Sequence, residues 1–156
     1  MVHKMELPAI SRAVDRKREV SSAVMPVTIL CVHDDQRALM ARSLVLSIAG
    51  YEVQTATSAD AAIRLFARYD IDIVVADHSL AVTNGAQLTS LMKEVEPELQ
   101  IVLLADTMEE PSMAEHVDLV LPLCMEPEQL LTAIGKLVAK RRPSLVPRYE
   151  KAANSN

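Results

Sequence analysis

The sequence predicts an α/β protein: a doubly wound sheet of five parallel strands with helices on both faces. Three observations carry this expectation. Apolar runs of five or six residues alternate with longer amphipathic stretches, and the cycle repeats five times along the chain. Half of the residues are hydrophobic, yet there is one phenylalanine, three tyrosines and no tryptophan, so the core is aliphatic, which suits helices packed on a parallel sheet. The 156 residues give room for one domain with a substantial core, and right-handed crossovers between parallel strands put helices on both sides of the sheet.

Residues 1–25, with the mixed-charge stretch "SRAVDRKREVSS", read as a loose N-terminal extension. "VTILCV", Val27 to Val32, is the first buried strand. Ala41, Leu44, Val45 and Ile48 follow at i, i+3, i+4 and i+7 and predict the buried face of a helix that Gly50 ends. "YEVQTA" alternates as a strand, and Ser58 is placed to cap a helix whose face is Ala62, Leu65, Phe66 and Tyr69. The run Ile71 to Ala76 predicts the third strand, followed by a helix with the stripe Leu88, Leu91, Met92 and Val95. "IVLLA", Ile101 to Ala105, is the fourth strand, with a short, weakly patterned helix near Glu109 to His116. "VDLVLP" is the fifth, and Pro127 opens a helix with the stripe Leu130, Ala133, Ile134 and Leu137. Its basic end, Lys140-Arg141-Arg142, complements the helix dipole. The domain is expected over 26–142, with a disordered tail over 143–156.

Several functions are disfavoured by composition. A net charge of −5 offers no broad basic surface for nucleic acid. Cys31 and Cys124 have neither CxxC spacing nor the density of a disulfide scaffold, which points to a reducing, cytoplasmic setting. No apolar run of about 18 residues is present to cross a membrane. With three glycines in the chain, no glycine-rich phosphate cradle follows a strand.

What remains are acids at strand ends. In "DIDIVVADHSLAVTNG", Asp70 to Gly85, a core strand stops at Asp77 before a polar loop closed by Asn84-Gly85. A carboxylate there is either a capping or turn residue, or a reactive group at the carboxyl end of the sheet, where open α/β folds place their ligands. Asp34 and Asp35 follow the first strand, which neighbours the third in this winding, so these carboxylates are expected to converge. His78 and His116 are read as surface residues, and Met92 as core.

The stretches "ILCVHDDQ", "AGYEV", "VVADHSLAVTNG" and "LPLCMEPEQL" together resemble the receiver domain of bacterial two-component response regulators, over about Val27 to Arg142. The resemblance implies a flavodoxin-like fold in which Asp77 accepts a phosphoryl group from a kinase phosphohistidine, with Gly85 the family glycine eight residues later. It further implies weak Mg²⁺ binding at Asp34, Asp77 and the backbone carbonyl of Ser79, chemistry suited to oxygen ligands and a carboxylate nucleophile. Implied partners are a histidine kinase or phosphotransfer protein and a downstream signalling protein, with no direct contact to nucleic acid or membrane. The molecule would be a stand-alone monomer or weak dimer, and not an enzyme.

The departures from the family are equally specific. His33 stands where the first acid is expected, Ala105 where a hydroxyl meets the phosphoryl group, and Leu123 in place of the lysine that pairs with it. Cys124 and Ala81 replace prolines, and Val120 occupies the position of the switch aromatic. Asp34 and Asp77, with a neutral His33 and no lysine, leave a pocket of about two negative charges. His33 is expected either to hydrogen-bond Asp34 or Asp35 as a neutral imidazole or, protonated, to return part of the missing cation. Thr107 is a candidate substitute for the missing hydroxyl. Two functional classes follow: a phosphorylatable receiver, or a pseudo-receiver that binds a partner without phosphate. A haloacid-type phosphatase would show a second aspartate two residues after Asp77, where Ser79 stands.

Overall fold

Every residue of Thr28–Val32 (β1), Ile73–Asp77 (β3) and Gln100–Ala105 (β4) is buried, as runs this apolar require when both faces of a sheet are covered. The computed structural model describes residue 10 and residues 26–106 and 115–141. Between and after these central strands lie Gln36–Ile48 (α1), Glu52–Ala56 (β2), Ala59–Arg68 (α2), Gly85–Val95 (α3), Leu119–Pro122 (β5) and Pro127–Arg141 (α4). The five strands are all parallel, in the order β2-β1-β3-β4-β5. The expected winding is therefore present, with β1 and β3 side by side.

Two cores flank the sheet. One joins Leu30, Val32, Val74, Ala76, Ile101 and Leu103 to Phe66 of α2 and to Leu88 and Met92 of α3. The other joins Ile29, Cys31, Ile73, Val75 and Val102 to Leu39 and Leu46 of α1 and to Leu130, Ile134 and Val138 of α4. Alternate residues of each strand feed opposite cores, the period-two consequence of the pleat. The expected stripes of α2 and α3 face the first core, and Leu130, Ile134 and Leu137 of the α4 stripe face the second, whereas Ala133 is not part of it. Of residues 1–25, only Ile10 is described; it is helical, 2% exposed and packed in the first core. The expected helix near 109–116 and the tail over 143–156 lie outside the described residues, except that Glu115 and His116 are non-helical.

Local chemistry sets the helix ends. The Asp35 carboxylate accepts from the amides of Arg37 and Ala38 and caps α1, and Ser58 Oγ accepts from Ala61 N to cap α2, as its sequence suggests. At the end of α1, Gly50 N–H donates to Ser47 O and Tyr51 N–H to Leu46 O, the Schellman pattern, with Gly50 at φ +101. A side chain at Gly50 would strain this turn.

The expected face of α1 is corrected by the structure. Leu39, Leu46 and Ala49 are buried, whereas Ala41, Leu44 and Ile48 are exposed and Val45 is half-buried. This helix carries apolar residues on two stripes, so periodicity alone does not choose between them. The stripe turned inward, Leu39, Arg42, Leu46 and Ala49, is the one that contains an arginine. Met40, Leu44 and Ile48 are left 63%, 61% and 79% exposed, forgoing about 1.5–3 kcal/mol for each large side chain that full burial would return.

Candidate functional site

The site is assembled where β1 and β3 end together. Val32 pairs with Ala76, so the next residues on each strand, His33 and Asp77, emerge side by side at the carboxyl edge of the sheet. His33 N–H donates to Ala56 O and His78 N–H to Leu104 O, which ties both strand ends to their outer neighbours. Asp77 is 3% exposed and His33 and Arg42 are half-buried around it.

Both oxygens of Asp77 face a nitrogen. Arg42 Nη1 donates to Oδ1 at 2.8 Å, and His33 Nε2 stands 3.0 Å from Oδ2. The other ring nitrogen, Nδ1, accepts from Asp35 N–H at 3.0 Å when the ring is neutral, and lies 3.1 Å from Asp34 Oδ1, to which it donates when protonated. The imidazole thus spans the gap between Asp34 and Asp77. Burial pushes the Asp77 carboxyl above its ordinary value; Arg42 and then His33 oppose this, and Asp34 adds to it. Cys31, directly below, has its thiol pushed up to about 12, mainly by burial, and is an inert core residue.

Arg42 was not legible as a site residue from motif spacing, and it corrects the charge count. Asp34 and Asp77 with Arg42 and a neutral His33 leave about one negative charge, not two. Leu123, at the position expected for lysine, donates its N–H to Ala105 O and lines one apolar cleft together with Arg42, Val45, Leu104 and Leu130. The cation absent from the end of β5 is therefore supplied from the neighbouring helix. Two signals in the sequence pointed that way: a lone arginine between Leu39 and Leu46 at helical spacing, and two acids without a partner.

The remaining expected residues are placed as follows. Ser79 is exposed in the loop after β3, where it bridges to Asn84. Asn84 Oδ1 accepts from Gln87 N–H at 2.7 Å and caps α3. Gly85 N–H donates to His78 O, and a Cβ on Gly85 would overlap the Asp77 carbonyl oxygen and lie 2.9 Å from its carbon, so only glycine lets α3 start this close to β3. Ala105 is buried at the end of β4, and Val120 is half-buried against the first core. His78 and His116 are half-buried rather than surface residues, and His116 Nε2 lies 2.9 Å from Ala86 O and 3.3 Å from Thr89 Oγ1. Thr107 lies outside the described residues.

The response regulator receiver domain model matches residues 29–134, more than half of the chain. The chain belongs to this receiver family. Among curated proteins, the transcriptional regulatory protein GlrR of Escherichia coli (strain K12) is 32% identical over 79 residues, which are 51% of this chain and 18% of that protein. Among solved structures, a response regulator receiver protein from Sinorhizobium medicae superposes with TM-score 0.69 at 27% identity, covering 77% of this chain and 100% of that one. The regulator TrrA from Thermotoga maritima, solved in complex with Mg²⁺ and BeF, superposes with TM-score 0.66 at 21% identity, covering 71% and 98%. This receiver aligns with only a small part of the length of GlrR.

The donor set of this receiver does not fit Mg²⁺. That ion requires near-octahedral oxygen coordination. Here an imidazole stands where the first acid would, both Asp77 oxygens are within 3.0 Å of a nitrogen, and Asp34 Oδ1 faces the same ring. Among the described residues no group of three acids, histidines or cysteines is arranged to hold a metal. No described helix is long and apolar enough to cross a membrane.

Proposed function

We propose that this receiver signals through protein–protein contact, with Asp77 held as a structural anion by Arg42 and His33 and not used as a Mg²⁺-assisted phosphoacceptor. The observation that carries this reading is the engagement of both Asp77 oxygens, at 2.8 and 3.0 Å, in a site where Ala105 and Leu123 stand at the positions expected for a hydroxyl and a lysine. The oxygen that would attack phosphorus is occupied, and Ala105 and Leu123 offer nothing to the charge that develops there. The module is non-enzymatic and cytoplasmic, a monomer or weak dimer whose ligands are signalling proteins and not nucleic acid or membrane.

A second reading is favoured by the preserved setting of Asp77 at the end of β3, with Gly85 still admitting α3 beside it. In that reading a histidine kinase or phosphotransfer protein delivers the phosphoryl group: an Asp77 oxygen bonds to phosphorus, the N–P bond of the phosphohistidine breaks, and Arg42 turns from the carboxylate to the phosphoryl oxygens. Intact mass after incubation with Mg²⁺ and a small phosphodonor separates the two. The first reading expects no adduct; a near-stoichiometric phosphoryl adduct absent from Asp77→Ala would establish the second.

A further inference from the structure

The inward stripe of α1 carries Leu39 and Leu46 into the second core, and Arg42 goes in with them. Three large apolar side chains, Met40, Leu44 and Ile48, are left in solvent while a guanidinium is taken in beneath the helix. Arg42 has only 11% of its side chain exposed, and it is delivered to a carboxylate that is 5% exposed. A charge-assisted bond between groups this dry is far stronger than the same pair at the surface.

We propose that Arg42 is the resident counter-cation of this pocket, and that Arg42 and His33 together occupy the space and charge that a divalent ion would need. This rests on the first reading of function above and names what makes the pocket metal-independent. Two features of the geometry point to it. The His33 ring is wedged between the two carboxylates, with Nδ1 at 3.1 Å from Asp34 and Nε2 at 3.0 Å from Asp77, so a cation bridging those acids would have to displace the ring. Arg42 holds the oxygen on the other side, and a divalent ion arriving at Asp77 would meet its fixed positive charge at close range. Arg42 borders an apolar cleft whose other walls include Val45, Leu104, Leu123 and Leu130. With leucine at position 123 that cleft is apolar and holds no competing cation. The loss of lysine and the recruitment of Arg42 are in this view one change.

The test follows backbone amide resonances of the full chain as MgCl₂ is added to millimolar concentrations without phosphodonor, with Mn²⁺ broadening as an independent probe. Wild type is expected to show no saturable shift and no selective broadening at Asp34, Asp77 and Ser79. His33→Asp combined with Arg42→Met, which keeps an aliphatic stem in the cleft, is expected to gain saturable, localised binding at least tenfold tighter. Saturable binding by wild type at those three residues would overturn the proposal, and this arm needs no variant to fold. A folded double variant as unresponsive as wild type would equally overturn it, by showing that these two side chains are not what excludes the ion. Because no phosphodonor is present, failure here is distinct from failure of the proposed function, which the mass measurement decides.

Discussion

Arg42 and Asp77, 35 residues apart in sequence, meet through an Nη1 to Oδ1 hydrogen bond of 2.8 Å that ties the middle of α1 to the end of β3. The pair is nearly dry, at 11% and 5% side-chain exposure. Breaking such a pair by removing one partner leaves the other charge buried and uncompensated, which is more costly than losing both.

A double-mutant cycle measures this coupling. Arg42→Met alone is expected to lower the unfolding free energy by about 3 kcal/mol, and Asp77→Asn by less, because the amide still accepts from the guanidinium. The double variant should lie above the sum of the two losses, with an interaction energy of about 1–3 kcal/mol. Urea unfolding of the four proteins gives the number, and strict additivity would show that the contact is incidental.

The raised pKa of Asp77 has a definite sign in the pH dependence of stability. Its folded value lies above the ordinary 3.8, chiefly through burial, so on acidification the native state takes up this proton before the unfolded chain does. The contribution of Asp77 to stability therefore rises as pH falls through the folded value toward 3.8, and is lowest at neutral pH. Asp77→Asn cannot titrate. The stability of wild type relative to Asp77→Asn should increase between neutral pH and about pH 4, and a decrease over that window would contradict the burial-dominated account.

Gly85→Ala tests how closely α3 must approach β3. The added Cβ would overlap the Asp77 carbonyl oxygen, which is backbone and cannot swing aside, so either the helix start or the strand end must move. A loss of more than about 2 kcal/mol is expected from such overpacking. Thermal unfolding would register it as a clear drop in Tm, and retention of wild-type Tm would mean that the loop yields easily.

Restoring reactivity should require clearing Asp77 as well as replacing the missing groups. Leu123→Lys with Ala105→Thr adds a cation and a hydroxyl but leaves both Asp77 oxygens engaged, and is expected to give no more phosphoprotein per minute than wild type. Adding His33→Asp and Arg42→Met should raise that rate at least about tenfold, about 1.4 kcal/mol off the barrier. The same rate in both variants would show that Arg42 and His33 do not restrain the carboxylate. Even in the faster variant Val120 offers no ring to follow the hydroxyl, so partner affinity with and without phosphate is expected to agree within about tenfold.

The strands, the pairing of β1 with β3, the glycine turn after α1 and the Ser58 cap were legible in the sequence, because each depends on local pattern or on the winding of parallel crossovers. The departures at His33, Ala105, Leu123 and Val120 were legible too, as differences against the family pattern. What only the tertiary structure decided was the rotation of α1 and, with it, the identity of the pocket's cation. Residues 36–48 offer two apolar stripes of similar strength, so hydrophobic periodicity is degenerate there. The contacts that settle it are remote in sequence: Leu39 and Leu46 meet the sheet and α4, and Arg42 meets Asp77 at the end of β3, 35 residues away. Turned this way, the helix buries Leu39 and Leu46 in the second core and brings Arg42 to the buried Asp77 carboxylate, while Met40, Leu44 and Ile48 stay exposed.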